Sequence, residues 1–238
     1  MEQDAILKMS QSEINMKKLW EKMGPEYFGR PIPYDEFISF DDSVQELYQA
    51  MRKHQSKSVN IRHQHTARAI GEEPDGDYVE IVSHTRYSLP VMHNHEYIEL
   101  IYVYSGTCLH FVKNQTFEMK AGDLCILAPN AIHSLSACSD DDIIINIMMS
   151  QKLFDGAFLK MMQRGATISG FFESILYERK ASPYILYSTG DDKWVRSTVV
   201  HMVEERKKKD YLYNESISLL VKQLFIHILR YYEMMAVV

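Results

Sequence analysis

The chain has 238 residues, which at roughly 150 residues per domain makes one large domain or two small ones, long enough to bury a core without staples. Hydrophobic residues at 46% and charged residues at 24% are ordinary for a soluble globular protein and exclude collagen-like, disordered and supercharged classes. The net charge of -6 repels a phosphate backbone unless basic groups gather on one face, so this chain alone is not expected to bind DNA.

Three cysteines, Cys108, Cys125 and Cys138, lack any C-x-x-C spacing and cannot all pair within one molecule, which points to a reducing compartment. The N-terminus has no basic region followed by an apolar one, and the run from Ile143 to Met149 is far too short to span a bilayer. The expected location is the cytoplasm.

Residues 1–77 read as a helical and irregular segment. Ile6, Met9, Ile14, Leu19 and Met23 repeat at helical spacing up to Gly24-Pro25, and Val44, Leu47, Tyr48 and Met51 do so behind Asp41 and Asp42. His63-Gln64-His65 lies in a polar stretch and reads as solvated. From Tyr78 to Ser150 the period becomes that of short strands at close, regular turn spacing, the pattern of an antiparallel sandwich or small barrel.

Residues 151–238 return to helical pattern. Candidates run through Phe154, Phe158, Leu159 and Met162, through Phe171, Phe172, Ile175 and Leu176, and through Trp194, Val195, Thr198, Val199, Met202 and Val203. The last of these starts at Asp191-Asp192 and ends in Arg206 to Lys209, which suits the helix dipole; the basic run reads as a solvated helix end. From about Glu215 a final helix carries an apolar arc too wide for one-sided packing, so it is expected to contact both its own barrel and a second subunit through Leu220, Leu224, Ile228 and Tyr231. The ending EMMAVV has no cap, which predicts continuation into a further domain.

The strongest local signal is His93-Asn94-His95, then Glu99 and Gly106. Residues two apart on an extended chain share a face, so two imidazoles and a carboxylate can converge in a barrel interior. A second element, Gly122-Asp123 followed by Pro129, Asn130 and His133, can return His133 to the same cavity. As a metal site this set suits Zn, Ni, Mn or Fe; as a polar network it offers hydrogen bonds to a bound hydroxylated ligand. Tyr97 shares the parity of Glu99, whereas alternation leaves His110 equally able to point in or out.

These residues resemble the two cupin motifs, with His93, His95 and Glu99 at the ligand positions of the first and His133 at that of the second. Tyr87 replaces the usual glycine, Pro129 to His133 is one residue shorter than in cupin enzymes, and Ala137 stands where the asparagine after the second histidine is expected. The shorter form, preceded by Glu-Leu-Ile-Tyr-Val-Tyr-Ser-Gly, is similar to the N-terminal ligand-binding and dimerisation domain of AraC/XylS-type transcription regulators.

The resemblance implies a mainly β fold with flanking helices: a cupin, or double-stranded β-helix (jelly-roll), barrel over 78–150, followed by a helical dimerisation region. It implies a homodimer binding a small polar effector such as a sugar through His93, His95, Tyr97, Glu99 and His133. Outside the resemblance, the segment from Ile32 to Phe40 is expected to lie over the barrel mouth as the element that responds to the effector. DNA would be met only through helix-turn-helix units, which this sequence lacks. The alternative is a metal-dependent cupin oxygenase or isomerase with the metal on His93, His95, Glu99 and His133.

Overall fold

The computed structural model describes residues 8–55, 62–63, 79–150, 153–154, 183–232 and 237. Helix α1 (Gln11–Met23) begins at Ser10, whose side chain accepts from the Glu13 N–H while Glu13 reaches back to the Ser10 N–H, so two orphan donors are satisfied reciprocally. Gly24, at φ 96°, ends it. A 3-10 turn (Pro25–Tyr27), a short helix α2 (Tyr34–Phe37) and α3 (Asp42–Gln55) follow.

Among the described residues, ten strands form two antiparallel sheets. One runs β1 (Arg62–His63), β3 (His93–Asn94), β8 (His133–Ser136), β5 (Thr107–Val112), β6 (Gln115–Lys120). The other runs β10 (Tyr184–Ser188), β7 (Asp123–Leu127), β4 (Ile98–Ser105), β9 (Ile143–Met149), β2 (Val79–Ser83). Helices α4 (Lys193–Lys208) and α5 (Tyr213–Tyr231) close the described chain. The barrel outgrows its expected bounds of 78–150. β1 comes from the N-terminal segment, and β10 pairs along β7 from Tyr184 opposite Leu127 to Ser188 opposite Asp123.

Side-chain alternation divides the core in two. Ile98, Leu100, Tyr102, Ile145 and Ile147 face outward and pack with Val199, Met202, Ile217, Val221 and Phe225 of α4 and α5. Ile101, Val103, Cys125, Leu127 and Ile144 face inward and meet Cys108, Val112, Met119 and Leu135 of the other sheet. β4 is thus buried on both faces, which is why its sequence reads as a nearly unbroken apolar run. A third cluster joins Met16, Leu19, Phe28, Ile32, Phe37 and Tyr48 to Tyr87, Leu89 and Val91.

Two close contacts hold the turns and helices around the barrel in place. Gly122, at φ 91°, sits so close to the backbone of Gly190 that a Cβ there would lie 2.1 Å from the Gly190 carbonyl oxygen. Asp192 caps α4 by accepting from Trp194 and Val195 N–H, and its other oxygen meets His227 and Tyr232 of the α5 end, each at 2.7 Å. The expected basic end of α4 is present, with Arg206 paired to Glu80.

The final helix packs on its own barrel, as expected. Leu224 and Ile228, expected at a subunit contact, are fully buried against the chain's own sheet, because they fall on the same stripe as Ile217, Val221 and Phe225. Leu220 is partly buried at the edge of that core, and only Tyr231 of the four is exposed, at 57%. The helical candidates from Phe158 to Leu176, together with Gln64 and His65, lie outside the described residues.

Candidate functional site

Within the largely apolar interior of the barrel, a group of titratable side chains comes together. There β3 and β8 pair His93 with His133, β4 brings in Glu99, and the connection between β3 and β4 brings in His95. His95, Glu99 and His133 are all buried, and one potential ligand atom from each lies within 4.8 Å of the others. His95 Nε2 stands 2.8 Å and His133 Nε2 3.2 Å from the same Glu99 oxygen, Oε2.

The other ring nitrogens fix the tautomers. His93 Nδ1 lies 2.9 Å from the Val91 carbonyl, His95 Nδ1 3.1 Å from the Tyr97 carbonyl and His133 Nδ1 3.0 Å from the Ala131 carbonyl. A carbonyl only accepts, so each Nδ1 carries the hydrogen, and in a neutral ring Nε2 is a lone pair. Burial pushes the Glu99 carboxyl up, but His133 and His95, where a ring carries a proton on Nε2 as well and donates it, outweigh burial and hold the group well below the usual carboxylate range. Burial pushes His95 down, against the pull of Glu99. Two imidazole lone pairs facing a carboxylate leave three acceptors around one point, an arrangement that a proton or a cation relieves. Backbone-anchored Nδ1 with Nε2 turned inward is also how histidine is held in metal centres, so these residues fit a divalent cation.

The second motif supports the first. Asn130, at φ 61°, donates its N–H to the His95 carbonyl at 2.7 Å, so the Pro-Asn turn pins the loop that carries His95. The N-terminal segment also reaches the site: Ile32 bridges Val91, and Met92, the residue before His93, donates to the Ile32 carbonyl at 2.8 Å.

Of the expected residues, His95, Glu99 and His133 converge. His93 stands beside them, its ring 4.5 Å from that of His133, but it is half-buried and outside the tight group. Tyr97 stacks flat on His95 at 3.8 Å and so acts on the site through that ring. His110, which sequence alternation left undecided, points inward in the row Cys108, His110, Val112, with its ring 5.8 Å from that of His133. A separate cavity of about 330 Å³ lies between the N-terminal segment and the barrel, lined among others by Trp20, Phe28, Cys108, Cys138 and Asp142, away from the histidines.

A cupin-like barrel with an anchored polar centre is a ligand-binding architecture, and the chain compares accordingly. Residues 78–174 match the AraC-like ligand binding domain family. The chain is similar to the HTH-type transcriptional activator RhaR of Enterobacter sp. (strain 638), 24% identical over 140 residues, covering 58% of this chain and 46% of that protein. It thus spans about half the length of that relative. Among solved structures it is similar to ToxT from Vibrio cholerae O395, with a TM-score of 0.39 and 14% identity over 66% of this chain and 55% of that one. It is also similar to a cupin protein from Bacteroides fragilis, with a TM-score of 0.28 and 25% identity over 33% of this chain and 69% of that one. No described helix is long and apolar enough to cross a membrane.

Proposed function

We propose that the chain is the effector-sensing and dimerisation part of a cytoplasmic transcription regulator, taking a small polar metabolite into the barrel at His95, Glu99 and His133. The observation that carries this reading is the buried cluster of His95, Glu99 and His133 in a largely apolar interior, its imidazoles each aimed by a backbone carbonyl. Such preorganised polar groups in an apolar shell fix the orientation of a small ligand. A ligand shifts a conformational equilibrium only by its differential affinity for two states. The segment around Ile32, joined to the strand that carries His93, is the element whose docking differs between them.

The donor set supports a second reading of the same centre, in which a divalent cation, Zn, Ni, Mn or Fe, sits on His95, Glu99 and His133 and presents open positions to the effector. Elemental analysis and native mass spectrometry, on protein purified without a metal-affinity step, test both readings. Near one metal per chain, lost on His133→Ala, supports the cation. A retained organic molecule without metal supports direct binding. Neither metal nor any bound or added small molecule overturns the sensing role.

For the dimer, the exposed face of α5 favours a second copy of this chain: Leu219 at 59% and Ile226 at 41% exposure stand two turns apart on one side. Light scattering is expected to give a dimer that Leu219→Glu with Ile226→Glu converts to monomer. A persistent dimer would place the interface elsewhere.

A further inference from the structure

The cavity of about 330 Å³ between the N-terminal segment and the barrel lies on the outer side of the sheet. Leu109 on β5 stands opposite Glu118 on β6 and opposite Ser136 on β8, and all three line the cavity. Their neighbours Cys108, Met119 and Leu135 belong to the interior cluster, so by alternation this row faces away from the histidine centre. The other wall is made by Trp20 near the end of α1 and by Pro25 and Phe28 of the turn that follows. Its volume falls within the roughly 300–1,000 Å³ typical of small-molecule sites.

One polar atom in this lining is unserved. Trp20 Nε1 is buried and has no hydrogen-bond partner among the described residues. The indole packs against Tyr87, with ring centroids 5.6 Å apart, and Tyr87 is itself fixed by donating to Asp140 at 2.7 Å. A buried N–H without an acceptor is costly, and a folded chain ordinarily satisfies it with protein, water or ligand. The cavity lined by the same side chain is where an acceptor reaches it.

Charge narrows the partner. Among the described residues no lysine, arginine or histidine lines the cavity, whereas two carboxylates do. Asp142 is already served, accepting from Thr107 N–H at 2.9 Å through one oxygen and from Ser139 N–H at 2.8 Å through the other. Glu118 is exposed to water. An anionic ligand would meet two like charges with one neutral N–H to offset them. An ammonium ion would gain little from the solvated Glu118 and would leave the Trp20 N–H without an acceptor. An uncharged acceptor, such as a carbonyl, on an apolar body set against Pro25, Phe28 and Leu109 meets both demands.

We propose that this cavity is a second small-molecule site, outside the barrel, for an uncharged and largely apolar molecule that presents one hydrogen-bond acceptor to the Trp20 N–H. The site stands whatever the barrel interior holds. A molecule there touches the N-terminal segment and the sheet together and so fastens one to the other. The fastened segment continues from Phe28 to Ile32, which accepts from Met92 N–H beside His93, so occupancy of the outer cavity also steadies the strand that leads into the histidine centre.

The test uses the full chain and three probes: coumarin, which is uncharged and carries a carbonyl; naphthalene, of similar shape with no acceptor; and a coumarin carboxylate, which is anionic. The chain has two tryptophans, Trp20 and Trp194, so nitrogen–proton correlation spectra of wild type and Trp194→Phe assign the Trp20 indole signal. Coumarin is expected to move that signal downfield, as a new hydrogen bond does, and to bind more tightly than either other probe. Trp20→Phe, which keeps an aromatic wall without the N–H, is expected to weaken coumarin about three- to tenfold, the scale of one hydrogen bond, and to leave naphthalene unchanged. Ser136→Leu, which adds bulk from the sheet side, is expected to abolish binding of both.

A Trp20 signal that no probe moves overturns the site. Coumarin that binds without moving that signal occupies another place and overturns it equally. Unchanged coumarin affinity in Trp20→Phe overturns the role of the N–H, and a carboxylate that binds as tightly as coumarin overturns the uncharged class. The indole signal is read on wild type, so the site is decided even where a variant fails to fold.

Discussion

Replacing Glu13 by Gln removes the charge that locks helix α1 to the barrel while keeping the side chain's shape and its place in the capping box, where Gln also serves. Glu13 meets Arg86 through Nε to Oε1 at 2.8 Å and Nη2 to Oε2 at 3.2 Å, and the Arg86 side chain is only 3% exposed. Arg86 also donates to the Asp140 carbonyl, so the guanidinium cannot swing out to water without breaking a second attachment. Removing one partner of a buried pair costs about 3–5 kcal/mol, because the remaining charge stays buried and uncompensated. Glu13 lies nearer the surface than Arg86, with a side chain 11% exposed, which favours the lower end, about 3 kcal/mol.

The pH dependence has a definite sign. Burial raises the Glu13 carboxyl, but the hydrogen bond and charge of Arg86, with the Ser10 contacts, outweigh it and lower the group below its ordinary value of 4.5. The folded state therefore binds that proton more weakly than the unfolded chain. The stabilisation is complete above the ordinary carboxylate range and is lost as pH falls through the lowered folded value. Urea unfolding of wild type and Glu13→Gln, with limited proteolysis between α1 and α3, gives the comparison. The variant is expected to be the weaker and the more readily cleaved at pH 7, with the gap narrowing in acid. A difference below about 0.5 kcal/mol at pH 7, the range of an ordinary surface substitution, would refute the argument that this pair clamps the N-terminal segment.

Gly122→Ala is expected to destabilise the barrel strongly, by more than the roughly 1 kcal/mol of an average substitution, because the methyl group would collide with the Gly190 backbone at a positive φ; calorimetric melting checks it. Leu224→Ala is expected to cost about 2–5 kcal/mol by urea titration while leaving the subunit count unchanged, as befits a residue in the chain's own core. Asp192→Ala is expected to cost at least the ~1 kcal/mol of a lost helix cap, since His227 and Tyr232 lose their shared acceptor as well; a melt unchanged from wild type would refute that joint.

The strands from Tyr78 to Ser150 are legible in the sequence because hydrophobic alternation and turn residues bound them closely. What alternation does not give is the neighbour on each face. In β4 both faces are apolar, so the sequence does not mark Ile98 and Leu100 as helix-facing or Ile101 as interior. The same limit explains His110: its parity with Cys108 and Val112 is visible, but which parity turns inward depends on the sheet opposite. β10 is hidden because Tyr184 to Ser188 sits in a stretch whose sequence pattern reads as helical, and it owes its strand form to pairing with β7, a partner distant in sequence. The α5 stripe shows a wide apolar arc, and only the fold assigns Leu224 and Ile228 to the sheet and leaves Leu219 and Ile226 outside. His95, Glu99 and His133 are readable because a short two-residue spacing and a turn motif carry them.

The double burial of β4 has a mechanical consequence. Glu99 projects toward the histidines, while its immediate neighbours Ile98 and Leu100 project the other way into the packing of α4 and α5. Successive residues of a strand share one backbone, and close-packed side chains on both sides leave little slack between them. A tug on Glu99 along the strand is therefore felt at the helix-facing side within a single peptide unit. The barrel wall itself is the linkage between the bound molecule and the outer helices, with no loop or hinge in the line of force.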